Sequence, residues 1–382
     1  LYLSFGLPGT GKSTLADEIY QRNKKESIYL CADQISLTYK LDQSENYHWT
    51  FEIFDELLKY YLAQGYSVIA DVNADKYEIR KNYYKLAEAE EADVKTYYLK
   101  TNLAGIKKRQ QQRNHLSEND LRTANLYQHS VEEIENYLEE LEEPQESERV
   151  YLIDGSFDFA EQLDCWQQVE EENLFEYLDK IRSSLAKEAD PEKAEGMASY
   201  MRDQFSFYGL QAAERRKVLR KYMRQENKPE YDKLEIVIKK LWQLPEREFQ
   251  YFAQELLLKY QKEYNEAIIN LFEYMIINKS WWDTVDHTAK KLVGEYFKIF
   301  PQKRDEKIQS WLDSANIWLQ RTALLFQLAY KEKTDAQLLF DLIEELKTID
   351  EFFIQKAIGW ALREYSKIEP LAVVKFANTH QL

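Results

Sequence analysis

Residues 2–14 read Tyr2-Leu3-Ser4-Phe5-Gly6-Leu7-Pro8-Gly9-Thr10-Gly11-Lys12-Ser13-Thr14. A short apolar run leads into the pattern G-x-x-x-x-G-K-[ST], and a helical run over 15–22 follows. Strand, loop and helix in that order is the setting in which this pattern holds phosphate. Gly6, Gly9 and Gly11 let backbone N–H groups curl around a di- or triphosphate at a helix N-terminus. Lys12 would reach the β- and γ-phosphates, the Ser13 hydroxyl would sit on Mg2+, and Thr14 belongs to the same loop. The expected ligand is a nucleoside triphosphate, ATP, with its Mg2+.

Further strands are expected at 27–31, 66–70, 94–99 and 150–153, with helices over 47–64 and 76–90 between them. Strands alternating with helices predict an α/β fold with a parallel sheet. Asp33 follows the second strand and Asp71 the third. The carboxyl ends of parallel strands face the ligand crevice, so Asp71 is the expected Mg2+-side acid and Asp33 the expected base for a hydroxyl substrate. Either could instead be a helix N-cap. Arg109 and Arg113 lie four apart on one helix face, as a phosphate-clamping lid or as a solvated basic face. The Glu-rich stretch 132–148, with Ile134, Leu138 and Leu141 at helical spacing, reads as a helix with a solvated face. Residues 1–155 resemble the small P-loop kinases of the polynucleotide-kinase and zeta-toxin-like group. The resemblance rests on Gly6 to Thr14, Asp33, Asp71, Asn73, Arg80, and the Arg109/Arg113 pair. It implies phosphoryl transfer to a hydroxyl that Asp33 activates, with an acceptor the residues leave unnamed.

At 382 residues the chain is long enough for two or three domains of roughly 100–200 residues each. A hydrophobic share of 44% and a charged share of 31% support a real core. Ten Gly and seven Pro against 28 Tyr favour long helices over a turn-rich β protein. Cys31 and Cys165 are the only cysteines. That excludes a disulfide framework and a cysteine zinc site, and makes a reducing cytosol (a cytoplasmic setting) the expected compartment. No apolar run approaches the ~18–20 residues of a membrane span. Leu1 opens directly on a strand-like run, so no signal peptide is expected, and the missing initial Met suggests that a few residues precede it. The net charge of −16 argues at first against nucleic acid. Yet residues 1–170 hold 18 Lys+Arg against 32 Asp+Glu, a net −14, which leaves −2 for the remainder. A near-neutral second part with clustered bases can hold a phosphate backbone.

From about Leu174 the strand signals stop and apolar residues recur at helical spacing. Asp190-Pro191-Glu192 and Leu244-Pro245-Glu246 read as helix starts. Pro245, Ser280, Ala315 and Asp350 recur every 35 residues, a repeat long enough for two antiparallel helices. Gln250, Gln320 and Gln355 share a phase, as do Tyr260, Tyr330 and Tyr365. The expected architecture is an all-α, HEAT-like solenoid of stacked helix pairs. Tyr251, Asp286, Arg321 and Lys356 occupy one repeat position, and Trp282 and Trp360 lie four residues from Asp286 and Lys356. Two indoles, a carboxylate and two cations therefore share one stripe. A core role for the tryptophans, and a structural Asp286–Arg321 ion pair, remain open at this level.

Residues 190–201, 279–286, 316–321 and 352–360 together resemble the AlkD-type DNA alkylation repair glycosylases, from about Glu172 to Leu382. That resemblance implies a HEAT-like fold that excises cationic alkylated purines such as 7-methylguanine and 3-methyladenine from double-stranded DNA. It implies catalytic roles for Trp282, Asp286 and Trp360, contacts to DNA backbone and lesion from Tyr200 and Arg321, a lesion left largely stacked, and a last repeat clipped at Leu382. The chemistry suits the residues. A cationic base leaves readily, a carboxylate at Asp286 stabilises the oxocarbenium-like sugar and positions water, indole faces attract a cation, and Arg321 would hold phosphate. This step needs no metal or redox cofactor.

Arg215, Arg216, Lys217, Arg220, Lys221 and Arg224 form a basic cluster, read either as a DNA-backbone contact or as a solvated face. The expected domains are 1–160 and 172–382, joined within 156–173. The leading expectation is an alkylpurine DNA glycosylase fused to an ATP-dependent kinase-like domain. A non-catalytic DNA- or protein-binding scaffold gated by a nucleotide switch is the alternative. The oligomeric state is open.

Overall fold

The computed structural model describes residues 1–25, 27–41, 47–102, 105–109, 130–145 and 147–380. The chain folds as two compact units, Leu1–Leu219 with Gln243–Glu248, and Arg220–Trp242 with Phe249–Leu382.

The first unit runs β1 (Tyr2–Phe5), α1 (Lys12–Asn23), β2 (Ser27–Cys31), α2 (Ala32–Tyr39), α3 (Trp49–Ala63), β3 (Ser67–Asp71), α4 (Tyr77–Ala89), β4 (Lys95–Lys100), α5 (Val131–Glu140), β5 (Val150–Asp154) and α6 (Phe159–Glu171). The five strands form one parallel sheet in the order β2-β3-β1-β4-β5. Leu3, Phe5, Val68 to Ala70, Tyr97 to Leu99 and Val150 to Ile153 are all buried. Unbroken burial is what helices on both sheet faces impose on a parallel strand. Because β1 lies at the centre, its carboxyl end and those of β3 and β4 open on one crevice.

The stretch 156–173, expected to join two domains, is α6. Its Leu163, Cys165, Trp166 and Val169 are buried, and the Trp166 indole donates to the Leu152 carbonyl at 3.1 Å. Apolar spacing within it serves packing on β5, so it is no linker. Helices α7 (Phe175–Lys187), α8 (Pro191–Tyr200) and α9 (Ala212–Leu219) belong to the same unit. Asp190 caps α8 by accepting from Lys193 N, with Pro191 in the first turn, as its sequence predicts. Both cysteines are buried, and neither forms a disulfide among the described residues.

The stretch 132–148 also differs from its expectation. Its helix ends at Glu140, and Ile134 packs against Leu7 and Ile106. Beyond it, Glu143 pairs with Lys100 at 3.0 Å, and Lys100 also meets buried Glu246 at 2.7 Å. Glu148 forms a buried bidentate pair with Arg80, at 2.8 and 3.0 Å, and the Arg80 guanidinium lies 4.1 Å from the Phe5 ring centre. Distant partners, invisible to local spacing, turn these glutamates inward.

The second unit consists of helix pairs. Its helices are α10 (Leu234–Gln243), α11 (Arg247–Leu257), α12 (Ile268–Ile277), α13 (Trp282–His287), α14 (Gly294–Ile299), α15 (Arg304–Asp313), α16 (Ile317–Leu325), α17 (Ala336–Leu346), α18 (Phe352–Tyr365) and α19 (Pro370–His380). Helices α11, α13, α16 and α18 start at 247, 282, 317 and 352, the spacing of 35 read from the sequence. The phased glutamines explain it. Gln250, Gln320 and Gln355 each donate to a carbonyl eight residues back, at Trp242, Leu312 and Lys347, and so satisfy the open C-terminus of the first helix of each pair. The phased tyrosines tie repeats together: Tyr330 Oη donates to the Gly294 carbonyl at 2.5 Å, and Tyr260 Oη to the Pro229 carbonyl. Among the described residues no helix is long and apolar enough to cross a membrane.

The Arg80–Glu148 pair generates a prediction. Burial opposes the Glu148 charge, but hydrogen bonds from Arg80, Tyr84 and the Gln145 amide outweigh it and hold the carboxyl below its ordinary range. A depressed carboxyl stabilises the fold above the ordinary glutamate value and loses that contribution as pH falls through its own lower value. Glu148→Ala leaves a buried guanidinium uncompensated and is expected to lower the unfolding free energy by about 3–5 kcal/mol, read by denaturant titration at neutral pH.

Candidate active site

At the centre of the sheet the loop after β1 wraps back on itself. Gly6 has φ 143°, and a Cβ there would lie 2.3 Å from the Leu99 carbonyl oxygen, so a side chain is excluded twice over. Gly155, after β5, is closed in similarly: a Cβ would come within 2.1 Å of Thr101 Oγ1 and 2.2 Å of the Thr10 carbonyl oxygen. Lys12 Nζ rests on the loop's own carbonyls, 2.5 Å from Gly6 and 3.3 Å from Leu7, while Ser13 and Thr14 are exposed at the start of α1. A ring of backbone around an ammonium at a helix N-terminus suits an anionic phosphate chain.

The carboxylates sit where the strands end. Asp71 closes β3 and accepts from Tyr29 Oη at 2.7 Å. Asp33 lies in the first turn of α2, and the cap position there belongs to Cys31, so Asp33 is not the cap. No helix starts directly after Asp71, so it is no cap either. Burial raises the Asp33 carboxyl above its ordinary value, the charge of Asp71 adds to this, and Lys12 opposes it. A carboxyl shifted upward is a better proton acceptor at neutral pH than an ordinary aspartate.

Arg109 behaves as neither free lid nor solvated face. Its Nη1 donates to the carbonyls of Gly9 and Thr10 at 3.0 and 2.9 Å, and its Nη2 to the Gly155 carbonyl. It braces the phosphate loop. Arg113 lies outside the described residues. Asp75, which the sequence reading missed, is buried and accepts from the Gly6 amide at 3.3 Å. Nothing in its local sequence marks it; only the return of the chain after β3 brings it to the loop.

In the second unit the stripe read from the repeat is partly assembled. Asp286 lies one turn beyond Trp282 on α13, which runs on into a π-helical turn, Thr288–Val293. Such turns often accompany functional positions. Asp286 Oδ1 and Oδ2 accept from Arg321 Nε and Nη2 at 2.7 and 2.8 Å, with the two side chains 12% and 5% exposed. Burial raises the Asp286 carboxyl, Arg321 pulls it back, and Asp283 adds a smaller upward push. Arg321 Nη1 donates to the Phe353 carbonyl in the first turn of α18. The Arg321 guanidinium thus meets Asp286 and Phe353, because α13 and α18 flank α16 and bring two acceptors to it. Trp360 lies two turns beyond Phe353 on the same helical face, one turn before Glu364. The Tyr251 hydroxyl donates to Asp283, beside Trp282 on α13, at 2.7 Å. Lys356 is exposed beside the Phe352 ring.

Two stretches of the chain match known families. The model of a family described as "DNA alkylation repair enzyme" matches residues 181–382, more than half of the chain. The chain belongs to the DNA alkylation repair enzyme family. An AAA-domain model matches residues 1–140. Among solved structures, the DNA alkylation repair chain is similar to one described as a predicted DNA alkylation repair enzyme from Enterococcus faecalis. The identity is 34%, with 50% of this chain and 89% of that chain covered, at a TM-score of 0.47. It is also similar to a gluconokinase from Sinorhizobium meliloti 1021, at 18% identity, with 43% of this chain and 86% of that chain covered and a TM-score of 0.31. No curated protein matches the chain.

The residues expected to contact DNA differ in exposure. Tyr200, at the end of α8, is 71% exposed. Arg216 and Arg220 are exposed, whereas Arg215 is buried on the face of α9 that also buries Leu219. The helix stops at Leu219 and continues as a 3-10 turn, Arg220–Met223, so the basic cluster is not one helical strip. Arg215 falls on the inward side of the first element by helical spacing alone.

Arg321→Ala removes the cation that draws the Asp286 carboxyl downward. The Asp286 carboxyl is expected to titrate at a higher pH in that variant than in the parent chain, as followed by NMR of 13C-labelled aspartate.

Proposed function

We propose that the DNA alkylation repair part is a DNA glycosylase for cationic alkylated purines of the 7-methylguanine and 3-methyladenine type in double-stranded DNA. The observation that supports this reading is the buried Asp286 carboxylate, held bidentately by Arg321 one turn from Trp282. Alkylation at a ring nitrogen makes the purine a cationic leaving group, so departure needs little acid catalysis. Positive charge then grows on the deoxyribose. A carboxylate prearranged beside it stabilises that charge and takes a proton from the incoming water. Arg321 opposes the upward push that burial gives the Asp286 carboxyl and so favours its charged form. The indole faces of Trp282 and Trp360 suit a cationic base or sugar. Exposed Tyr200, Arg216 and Arg220 supply backbone contacts, which makes binding salt-dependent. No metal or redox cofactor enters this step.

The first unit is proposed as a nucleotide-dependent phosphotransferase. The loop's φ values, the helix N-terminus and Lys12 fit the phosphates of ATP. Lys12, Ser13 and Thr14 would hold the phosphate chain, with Ser13 and Asp71 on the Mg2+ side. Mg2+ would supply charge neutralisation there. Asp33, raised above an ordinary aspartate, takes the proton of an acceptor hydroxyl.

Release of 7-methylguanine from methylated duplex DNA tests the first proposal. Asp286→Asn is expected to lower release by at least about a hundredfold while the variant still binds DNA. DNA binding by the parent chain with no base release would establish a non-catalytic scaffold instead. Because the carboxylate form acts and its value lies above the ordinary one, release is expected to fall as pH drops through a point above that of a free aspartate. For the first unit, Lys12→Ala is expected to abolish ATP-dependent labelling of 5′-hydroxyl DNA, RNA and small hydroxyl metabolites alike. Asp33→Asn should abolish transfer while leaving nucleotide binding intact; unchanged transfer would remove the base assignment.

A further inference from the structure

Three rings from three successive repeats meet beside the Asp286–Arg321 pair. Trp281 stands at the N-cap of α13, Trp318 in the first turn of α16 and Phe353 in the first turn of α18. Their ring centroids lie 6.0 Å apart for Trp281–Trp318, 5.1 Å for Trp281–Phe353 and 4.9 Å for Trp318–Phe353. Such separations are those of favourable aromatic pairs. The Trp281–Phe353 contact skips the middle repeat, so the three distances close a triangle.

The same three helices carry a polar chain. Helix α13 supplies Asp286, α16 supplies Arg321, and α18 supplies the Phe353 carbonyl that takes Arg321 Nη1. Each helix therefore contributes one ring and one polar partner. The polar chain holds only if the helix ends keep their spacing, because a bidentate pair weakens within a few tenths of an ångström. The triangle spans those same three helix starts.

One detail argues against plain core filling. Trp281 Nε1 is buried and has no hydrogen-bond partner among the described residues. A buried unpaired donor is costly. A ring kept for volume alone would be replaceable by an apolar one without that cost. Here the indole is held by its ring contacts, at the vertex that joins α13 to α18.

We infer that Trp281 and Trp318 are positioning residues: through Phe353 they fix Arg321 in the orientation that grips the Asp286 carboxylate. The inference rests on the catalytic reading of Asp286 for its consequence, but not for its test. The groups that act on Asp286 are Arg321 from α16 and Asp283 from its own helix, and only the first is set by the triangle.

The test uses the full chain without DNA. Trp318→Leu and Trp318→Phe are compared with the parent by NMR of 13C-labelled aspartate and by thermal melting. In Trp318→Leu the Asp286 carboxyl is expected to titrate at least about one pH unit higher, a tenfold change in its proton affinity. Trp318→Phe, which keeps a ring at that vertex, should restore most of it. Trp281→Leu removes a different vertex and should give the same upward displacement, so the inference stays testable if Trp318→Leu fails to fold. A lower melting temperature with an unmoved Asp286 titration in either leucine variant overturns the inference and leaves the rings as ordinary packing. Base release is then measured on the same proteins. A displaced titration in a chain that never releases base would sink the glycosylase reading and leave the positioning role standing.

Discussion

A carboxylate inside a protein stays charged only when a cation and good geometry repay its lost hydration. For Asp286 that cation is Arg321, which offsets part of the cost of burial. Arg321 reaches it with two nitrogens, and the third is anchored on the Phe353 carbonyl. Burial alone would push the proton on; the guanidinium resists it. The arrangement draws on three consecutive helix pairs, so the accuracy of the stacking becomes the accuracy of the site. This is why the phased glutamines and tyrosines matter to chemistry as well as to stability. Each ties one repeat to its own preceding helix or to its neighbour, and together they hold the helix ends in place.

The phosphate loop obeys a different constraint. It must present backbone N–H groups in a tight curve, which leaves no room for side chains at Gly6 or Gly155. Neighbouring groups hold that curve from outside. Arg109 grips three of its surrounding carbonyls, and Asp75 takes the Gly6 amide. Beneath it, Arg80 joins the turn after β3 to Glu148 through a buried pair stacked on Phe5. The loop is therefore shaped by residues that touch no phosphate. Asp33 and Asp71 stand apart from this scaffolding at the ends of their strands, where a ligand can meet them.

Much of this was legible beforehand. Strands at 2–5 and 27–31 fall on the residues their β-branched and aromatic runs indicate, and the helix starts at 247, 282, 317 and 352 keep the period of 35. Both signals are local or periodic. The failures share a cause. The stretch 156–173 is expected to join two domains, yet its residues 159–171 pack as a core helix of the sheet. Glu143 and Glu148 looked solvated in a run of glutamates, but Lys100 and Arg80, some forty and seventy residues earlier, draw them in. Arg215 sat in a basic cluster whose inward face was set by Leu219. In every case the deciding partner lies far away in sequence or on the other side of a helix.

What the amino-acid order determined by itself was the inventory: a phosphate loop between a strand and a helix, a sheet of parallel strands, a repeat of helix pairs, and one phase in which Asp286 and Arg321 coincide. These follow from short-range periodicity and from residues whose backbone preferences leave little choice. Tertiary structure alone decided which charges meet. It set Arg321 on Asp286 and the Phe353 carbonyl, set Arg109 on the loop carbonyls, and brought Trp281, Trp318 and Phe353 into one triangle. Charge pairing and ring contact act over a few ångströms, and only the folded chain brings residues 32 to 100 positions apart within that range.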